Sequence, residues 1–241
     1  MSVRHSLIIP CGNFLFRYRN YLFPLVVLAI VIFTTPGTAV PGISVTVIGI
    51  IVTLAGQAVR AAVIGLDYIK RGGIDKKVAA DTLVVTGIFA HCRNPLYVGN
   101  FLILLGLLIV YDNAWALIAG GLFFYLAYSA IVITEENFLA AKFGDEYTEY
   151  CRTVPRWSFH LHGLKNTLSG NCFNWHRVLN KDYTTMTTWS ITLILLLAYR
   201  EISERGHGPY TTIWLTSILA VAAVLSMTYL VKRLKKSGRL M

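Results

Sequence analysis

Long apolar stretches separated by short polar clusters form the main pattern of this chain. Six apolar stretches can be distinguished, at residues 21–36, 42–64, 95–111, 114–134, 186–200 and 210–231. Most are close to the roughly 20 residues that a helix needs to cross the hydrocarbon core of a bilayer. They mostly lack the polar face that helices of a soluble bundle show. The pattern therefore predicts an all-α polytopic membrane bundle of about six transmembrane helices.

The six stretches differ in how strongly they predict a transmembrane helix. Pro24 lies inside the first, and the fifth is short with threonines at its start, whereas the fourth carries no charge from Ala114 to Thr134. Composition supports a membrane protein, because only 14% of the 241 residues are charged and the mean hydropathy is +0.58. A soluble domain carries about 25% charged residues. We expect one membrane domain, residues 1–241.

Lysine and arginine are unevenly distributed between the connecting segments. The segments before residue 21, between 64 and 95, between 134 and 186 and after 231 hold 19 of the 22. Only Arg200 and Arg205 fall on the opposite side, and Arg60 lies within a stretch. Because positively charged segments stay in the cytosol, both termini are expected to be cytosolic. The membrane would be the inner membrane of a bacterium or the endoplasmic reticulum of a eukaryote.

The formal net charge of +10 is interpreted as a signal of the membrane surface. The basic run at residues 232–236 directly follows the sixth stretch, where anionic lipid headgroups are the nearest partners. We therefore expect membrane lipids as partners and no nucleic acid. All four cysteines fall on the predicted cytosolic side, which is a reducing compartment where disulfides are rare.

Two polar clusters flank the third and fourth stretches. Arg93 opens the third stretch, the pair Glu135-Glu136 follows the fourth, and Tyr111-Asp112-Asn113 is the whole connection between them. So short a connection makes the two helices antiparallel neighbours, so both clusters should emerge at one membrane face. Pro95 suits the first turn of the third helix, where its missing N–H costs nothing.

These clusters combine several kinds of ligand-binding group. They offer the cations Arg60 and Arg93, the imidazole of His91, the carboxylates Glu135 and Glu136 and the aromatic ring of Tyr97. A ligand that carries both a carboxylate and an ammonium, such as S-adenosylmethionine, fits this mixture. Two alternatives stay open. Arg60 could snorkel to the headgroups instead of facing the bundle interior, and Arg93 could simply neutralise the two glutamates.

The order and spacing of these motifs resemble the isoprenylcysteine carboxyl methyltransferase family, whose C-terminal pattern is shared with the phospholipid N-methyltransferases. The matching pieces are the run from Asp81 to Gly99, Glu135-Glu136, the segment from Lys142 to Tyr150, and Val154-Pro155-Arg156. The resemblance covers about residues 45–157. Residues 158–241 would form a C-terminal extension with the last two stretches.

This resemblance implies an integral membrane methyltransferase that uses S-adenosylmethionine bound in a cytosol-facing pocket. It implies a lipidic or amphipathic acceptor that enters sideways from the bilayer. We expect Arg60 and Arg93 to be the catalytic cations. The expected cofactor contacts are Thr82, Leu83, Val84, Phe89, His91, Asn94, Pro95, Leu96, Tyr97, Glu135 and Glu136.

Four positions depart from the family's pattern. Asn94 stands in place of a histidine and Phe89 in place of a tyrosine, while Asp81 replaces a histidine of the eukaryotic members. Ile131 lies where those members have an arginine that meets the substrate. Asn94 still donates and accepts hydrogen bonds. Ile131 offers no cation, so a polar lipid group such as a headgroup amine is the expected acceptor.

Two other functions stay open, namely a sterol-reductase-like enzyme that uses NADPH and a non-catalytic, nurim-like membrane protein. Glu135-Glu136 followed by Phe143-Gly144 favours the methyltransferase over the reductase, and the retained Tyr97 and Glu135 favour it over the non-catalytic protein. No metal site is expected, because the spacing of the histidines and cysteine at 160–176 matches no zinc module. A homo-oligomer is left open.

Overall fold

A computed structural model of the protein describes residues 3–37, 43–66, 80–170, 172–205 and 209–238. Within these ranges the chain is helical and contains no strand, so the predicted all-α fold class is confirmed. The elements are α1 (Val3–Phe33), α2 (Ile43–Leu66), a 3₁₀ turn (Gly87–Ala90), α3 (Pro95–Tyr111), α4 (Ala114–Phe143), α5 (Asp145–Thr153), α6 (Leu164–Gly170), α7 (Trp175–Arg205) and α8 (Thr211–Lys236). The lysines and arginines at 70–77, which contribute to the predicted topology, lie outside the described residues.

Four of the described helices contain segments long and apolar enough to cross a membrane. These segments are Leu7–Phe33, Ser44–Leu66, Ala114–Phe143 and Thr211–Lys236. The apolar helix α3 is shorter, with 17 residues. Helix α7 is long, with 31 residues, but is not one of the four. The helical membrane bundle is confirmed, while the number of six spans stays a prediction.

Three helices extend beyond the apolar stretches that predicted them. Helix α1 begins before residue 21 and continues through Pro10 and Pro24, which membrane helices tolerate when neighbouring groups satisfy the freed backbone. Helix α4 passes Thr134 and ends where Gly144 adopts a φ of 55°, so Glu135 lies within the helix, not at its end. Helix α7 begins at Trp175, before residue 186, and within it threonine hydroxyls such as that of Thr187 donate to carbonyls one turn back.

Helices α2 and α3 pack with their backbones almost in contact. A Cβ atom added to Gly56 would lie 2.6 Å from the carbonyl oxygen of Gly99, and one added to Gly49 would lie 2.7 Å from that of Gly106. Small residues at such crossings let membrane helices approach closely. Helix α3 also contacts α4 and α7. It therefore lies at the centre of the bundle.

The α3–α4 hairpin has the short connection that the sequence predicts. Asp112 adopts a left-handed conformation with a φ of 56°, and the side chain of Asn113 caps α4 by accepting a bond from the Ala116 N–H at 2.9 Å. Buried Arg200 of α7 pairs with Asp112 at 3.3 Å. This pair joins α7 to the hairpin at the end away from Arg93 and Glu135.

Helix α1 packs antiparallel against α4. Gly12 lies against Ala130 and Thr134, and the ring of Phe23 meets that of Tyr128 edge-on at a centroid distance of 5.3 Å. Arg19 lies between these two contacts along α1. This packing brings Arg19 beside the hairpin end that carries Glu135.

The glycine contact between α2 and α3 generates a prediction about stability. We expect Gly56→Ala to lower the thermal unfolding midpoint in detergent, because the added methyl group must displace the backbone of Gly99. Overpacking of this kind costs ~1–3 kcal/mol. Gly121→Ala on α4 is the matched control, because its added Cβ meets nothing within 4 Å. Equal stability of the two variants would contradict the close contact.

Candidate active site

A tyrosine, a glutamate and an arginine from three helices meet at one end of the bundle. The Tyr97 hydroxyl, in the first turn of α3, donates to Glu135 Oε1 on α4 at 2.6 Å. Arg19 Nη1 of α1 donates to the same hydroxyl oxygen at 3.1 Å. We call these three residues the Tyr97 cluster. The antiparallel hairpin therefore brings its two polar ends together, as the short connection predicts.

The Tyr97 cluster presents both an acceptor and aromatic surface. Within the described residues, the second carboxylate oxygen of Glu135 makes no hydrogen bond. The rings of Tyr97 and Tyr128 lie 5.5 Å apart, centroid to centroid. Together with Tyr128, the Tyr97 cluster thus offers a carboxylate oxygen, a guanidinium group and an aromatic pair.

Glu136, the next residue on α4, has a different environment. Arg156 binds it with two nitrogens, Nε to Oε1 at 3.1 Å and Nη2 to Oε2 at 2.6 Å. Arg93 Nη1 lies 3.1 Å from Oε1, and Asn94 Nδ2 donates to the same oxygen at 3.4 Å. Two cations therefore neutralise Glu136, so the open alternative of mutual neutralisation describes this glutamate and not Glu135.

Arg93 lies partly buried just before α3. Burial lowers its pKa, but Glu136, Cys151 and Tyr147 together outweigh this effect, and the pKa is raised above its usual value. Arg93 Nη1 also donates to Cys151 Sγ at 2.9 Å. Its charge is thus permanently present at the entrance to α3.

The segment before α3 is bound to the chain that follows α5. The Arg93 N–H donates to the Pro155 carbonyl and the His160 N–H to the His91 carbonyl, both at 2.9 Å. His91 Nδ1 lies 2.8 Å from the His160 carbonyl, which can only accept, so Nδ1 carries the proton. In the neutral ring Nε2 then accepts from the Thr167 hydroxyl at 2.9 Å. Both ring nitrogens of His91 therefore make contacts within the protein.

Other predicted cofactor contacts lie around a small apolar cluster. Val84 and Leu96 pack against buried Val63, Ile88 and Phe89. The Phe89 carbonyl accepts a hydrogen bond from the Tyr150 hydroxyl at 2.7 Å. Burial is the largest of the effects that raise the pKa of this Tyr150 hydroxyl. The hydroxyl therefore stays protonated and can donate.

The remaining predicted contacts are Thr82, Leu83 and Pro95. Pro95 is buried at the first position of α3, Thr82 is exposed and Leu83 is half-buried. Within the described residues, no hydrogen bond or ion pair links Thr82 or Leu83 to the Tyr97 cluster. Their role as cofactor contacts stays a prediction.

Arg60 faces the interior of the bundle. Its guanidinium group pairs with Asp182 of α7, whose side chain is completely buried. Gln57 Nε2 donates to Asp182 Oδ2 at 2.9 Å, and Arg60 Nη2 reaches the Thr185 hydroxyl at 3.2 Å. This geometry excludes the snorkelling alternative, and it shows that the charge of Arg60 is paired.

Several residues of these clusters are not among the site residues that the sequence predicts. They are Arg19, Tyr128, Arg156, Asp182 and Asn100, whose side-chain oxygen accepts a hydrogen bond from Arg60 Nη1. Arg156 follows the Val154-Pro155 motif, which could have indicated it. Arg19 precedes an apolar stretch, and its only sequence signal is its place among the positive charges on the predicted cytosolic side. Asp182 has no sequence signal, because its partner Arg60 is 122 residues away.

Residues 39–146 match the model of a protein family described as phospholipid methyltransferase. Over 75 residues the chain is 41% identical to the cobalt-zinc-cadmium resistance protein CzcN of Cupriavidus metallidurans, covering 31% of this chain and 34% of that protein. It is 37% identical over 73 residues to protein-S-isoprenylcysteine O-methyltransferase of Schizosaccharomyces pombe, covering 30% of this chain and 31% of that protein. It is 29% identical over 125 residues to the Xenopus laevis protein of the same name, covering 50% of this chain and 42% of that protein.

These matches confirm the resemblance to the isoprenylcysteine and phospholipid methyltransferases. The chain spans between 31% and 42% of the length of these curated relatives. No solved structure gives a significant match.

The buried position of Cys92 generates a prediction about thiol reactivity. Burial raises the pKa of Cys92 to about 11, against the opposing effects of the Asn94 backbone and the charge of Arg93. The thiolate is the reactive form of cysteine. We therefore expect maleimide to modify exposed Cys172 at neutral pH and to leave Cys92 unmodified until the protein is denatured. Site-resolved mass spectrometry provides the measurement, and equal labelling of both cysteines in the folded protein would contradict it.

Proposed function

We propose that this chain is an integral membrane methyltransferase that uses S-adenosylmethionine and acts on a lipidic or amphipathic acceptor. Residues 39–146 resemble the phospholipid methyltransferase family. The observation that carries the proposal is the 2.6 Å hydrogen bond between Tyr97 and Glu135. Both residues are among those on which the resemblance places cofactor binding.

The Tyr97 cluster fits the charged groups of S-adenosylmethionine. The second carboxylate oxygen of Glu135 is an acceptor suited to the cofactor's ammonium group. Arg19 is a donor suited to its carboxylate. The aromatic pair of Tyr97 and Tyr128 offers π faces of the kind that attract a ligand cation, such as the sulfonium. The residues present therefore match all three charges.

The chemistry that this chain must supply is limited. When bound, the cofactor supplies a methyl group already activated on sulfur. The protein's own task is to hold the acceptor in line with that methyl group and to exclude water. In this proposal, the ion pairs of Glu136 with Arg93 and Arg156 fix the start of α3. Asn94 and Tyr97 are thereby kept in place.

The charges around the site favour an acceptor without a carboxylate. Ile131 is an apolar side chain, so it presents no cation. It is completely buried in a cluster with Leu15 and Phe16. Arg60 is neutralised by Asp182. In this proposal Arg19 serves the cofactor. A lipid headgroup amine or another polar lipid group is therefore the proposed acceptor, entering from the bilayer, and the distribution of lysine and arginine favours a site at the cytosolic face.

The proposed cofactor site predicts the effect of two truncations. We expect Glu135→Ala and Tyr97→Ala to weaken S-adenosylmethionine binding by roughly tenfold or more, because a lost hydrogen bond to a charged group costs ~1.5–3 kcal/mol. Calorimetric titration of the purified full chain measures the affinity. Glu149→Ala, which removes an exposed glutamate on α5, is the matched control.

Unchanged affinity in both truncated variants, with the protein still folded, would refute the assignment of the cofactor site. Binding of NADPH in place of S-adenosylmethionine by the unaltered chain would favour the reductase alternative.

The lack of a free cation at Ile131 and Arg60 predicts which class of acceptor is methylated. We expect methyl transfer from labelled S-adenosylmethionine to a component of extracted membrane lipids and little transfer to prenylcysteine analogues. The physical reason is that neither Ile131 nor the paired Arg60 offers a cation to a prenylcysteine carboxylate. Separation of the labelled products by chromatography and mass spectrometry identifies the acceptor. Rapid methylation of a small prenylcysteine acid, with none of the lipids labelled, would overturn this expectation.

A further inference from the structure

A continuous series of side-chain contacts joins the C-terminal extension to the Tyr97 cluster. It begins on α7, where Asp182 pairs with Arg60 of α2. Arg60 Nη1 donates to the side-chain oxygen of Asn100 on α3. The Asn100 side chain lies next to the hydroxyl of Tyr128 on α4. The ring of Tyr128 lies 5.5 Å from that of Tyr97.

The direction of each hydrogen bond in this series is defined by chemistry. The Asn100 oxygen accepts from Arg60 Nη1, so its amide nitrogen is the group left to face the Tyr128 hydroxyl. A guanidinium group is planar and presents its donors in a fixed fork. Arg60 Nε and Nη2 both bind the Asp182 carboxylate. Asp182 therefore sets the plane of the guanidinium group and with it the aim of Nη1 at Asn100.

The buried ion pair of Asp182 and Arg60 carries a desolvation cost that apolar packing between the two helices would not have. Asp182 is completely buried, and the side chain of Arg60 is 6% exposed. Replacing a buried ion pair by apolar groups is often neutral or stabilising, whereas removing one partner leaves an uncompensated charge. Ionisable residues inside membrane bundles are characteristic of functional sites. Packing alone would not need the charges that this pair retains.

We propose that Asp182 and Arg60 are positioning residues that hold Tyr97 in its binding geometry through Asn100 and Tyr128. Helix α7 is then part of the active unit, although it lies outside the region of family resemblance. The inference rests on the proposed function, because it assumes that Tyr97 binds S-adenosylmethionine.

Four variants of the full chain separate positioning from stability. Asp182→Asn and Arg60→Met each remove one charge of the pair. The double variant removes both charges and leaves an amide oxygen on α7 that can still accept the bond from Gln57. Asp112→Asn is the matched control, because it breaks the other buried pair of α7, with Arg200, at the opposite end of α3. Asparagine also tolerates the left-handed backbone at this position.

Two quantities are measured on each variant in lipid nanodiscs: the unfolding midpoint and the calorimetric affinity for S-adenosylmethionine. We expect both single variants to unfold at lower temperature and to bind on the order of tenfold more weakly. The double variant should recover the unfolding midpoint but not the affinity, because Asn100 has still lost its donor. Asp112→Asn should lose stability and keep its affinity within about twofold of the unaltered chain.

Two outcomes would overturn the inference. The first is affinity that returns together with stability in the double variant, which indicates a purely structural pair. The second is an equal loss of affinity in Asp112→Asn. If the unaltered chain fails to bind S-adenosylmethionine, the proposed function fails first and this inference with it. The titration of the unaltered chain therefore distinguishes the two failures.

Discussion

The backbone contact between α2 and α3 determines where the other polar groups of the bundle can lie. Gly56 and Gly99 meet near the same end of these helices as Tyr97 and Arg60. A Cβ atom on Gly99 would lie 2.7 Å from Arg60 Cγ, so the stem of the arginine passes directly over the glycine. A larger residue at 99 would push Arg60 away from Asn100. One steric constraint thus sets both the helix crossing and the path of a buried cation.

Adjacent glutamates on α4 illustrate how helix geometry separates roles. Consecutive residues of a helix point about 100° apart. Glu135 therefore faces α1 and α3, where it meets the Tyr97 hydroxyl, whereas Glu136 faces the segment that follows α5. There, two arginines neutralise it and hold the entrance of α3. In the proposed function the first glutamate contacts the ligand and the second maintains the geometry that makes this contact effective.

The sequence predicts the parts of the site that depend on local rules. A three-residue connection makes α3 and α4 antiparallel, so a contact between Tyr97 and Glu135 could be anticipated. Contacts between distant segments could not be. Arg19 meets Tyr97 across 78 residues and Asp182 meets Arg60 across 122, and no periodicity encodes either pairing. Helix α4 ends at Phe143, nine residues beyond the end of the apolar stretch at 134. An apolar stretch marks only the part of a helix within the hydrocarbon core, and the backbone hydrogen bonds of the helix can continue past it.

Residues from outside the matched region contribute to both polar clusters. The match covers residues 39–146. Outside it, Arg19 contacts Tyr97 and Arg156 contacts Glu136. Asp182, also outside it, pairs with Arg60. Tyr97, Glu135 and the glycine crossing, by contrast, lie within the matched region. In the proposed function α1 contributes Arg19 to the cofactor and α7 contributes Asp182, which neutralises Arg60, so neither contribution restores the cation that is missing at Ile131.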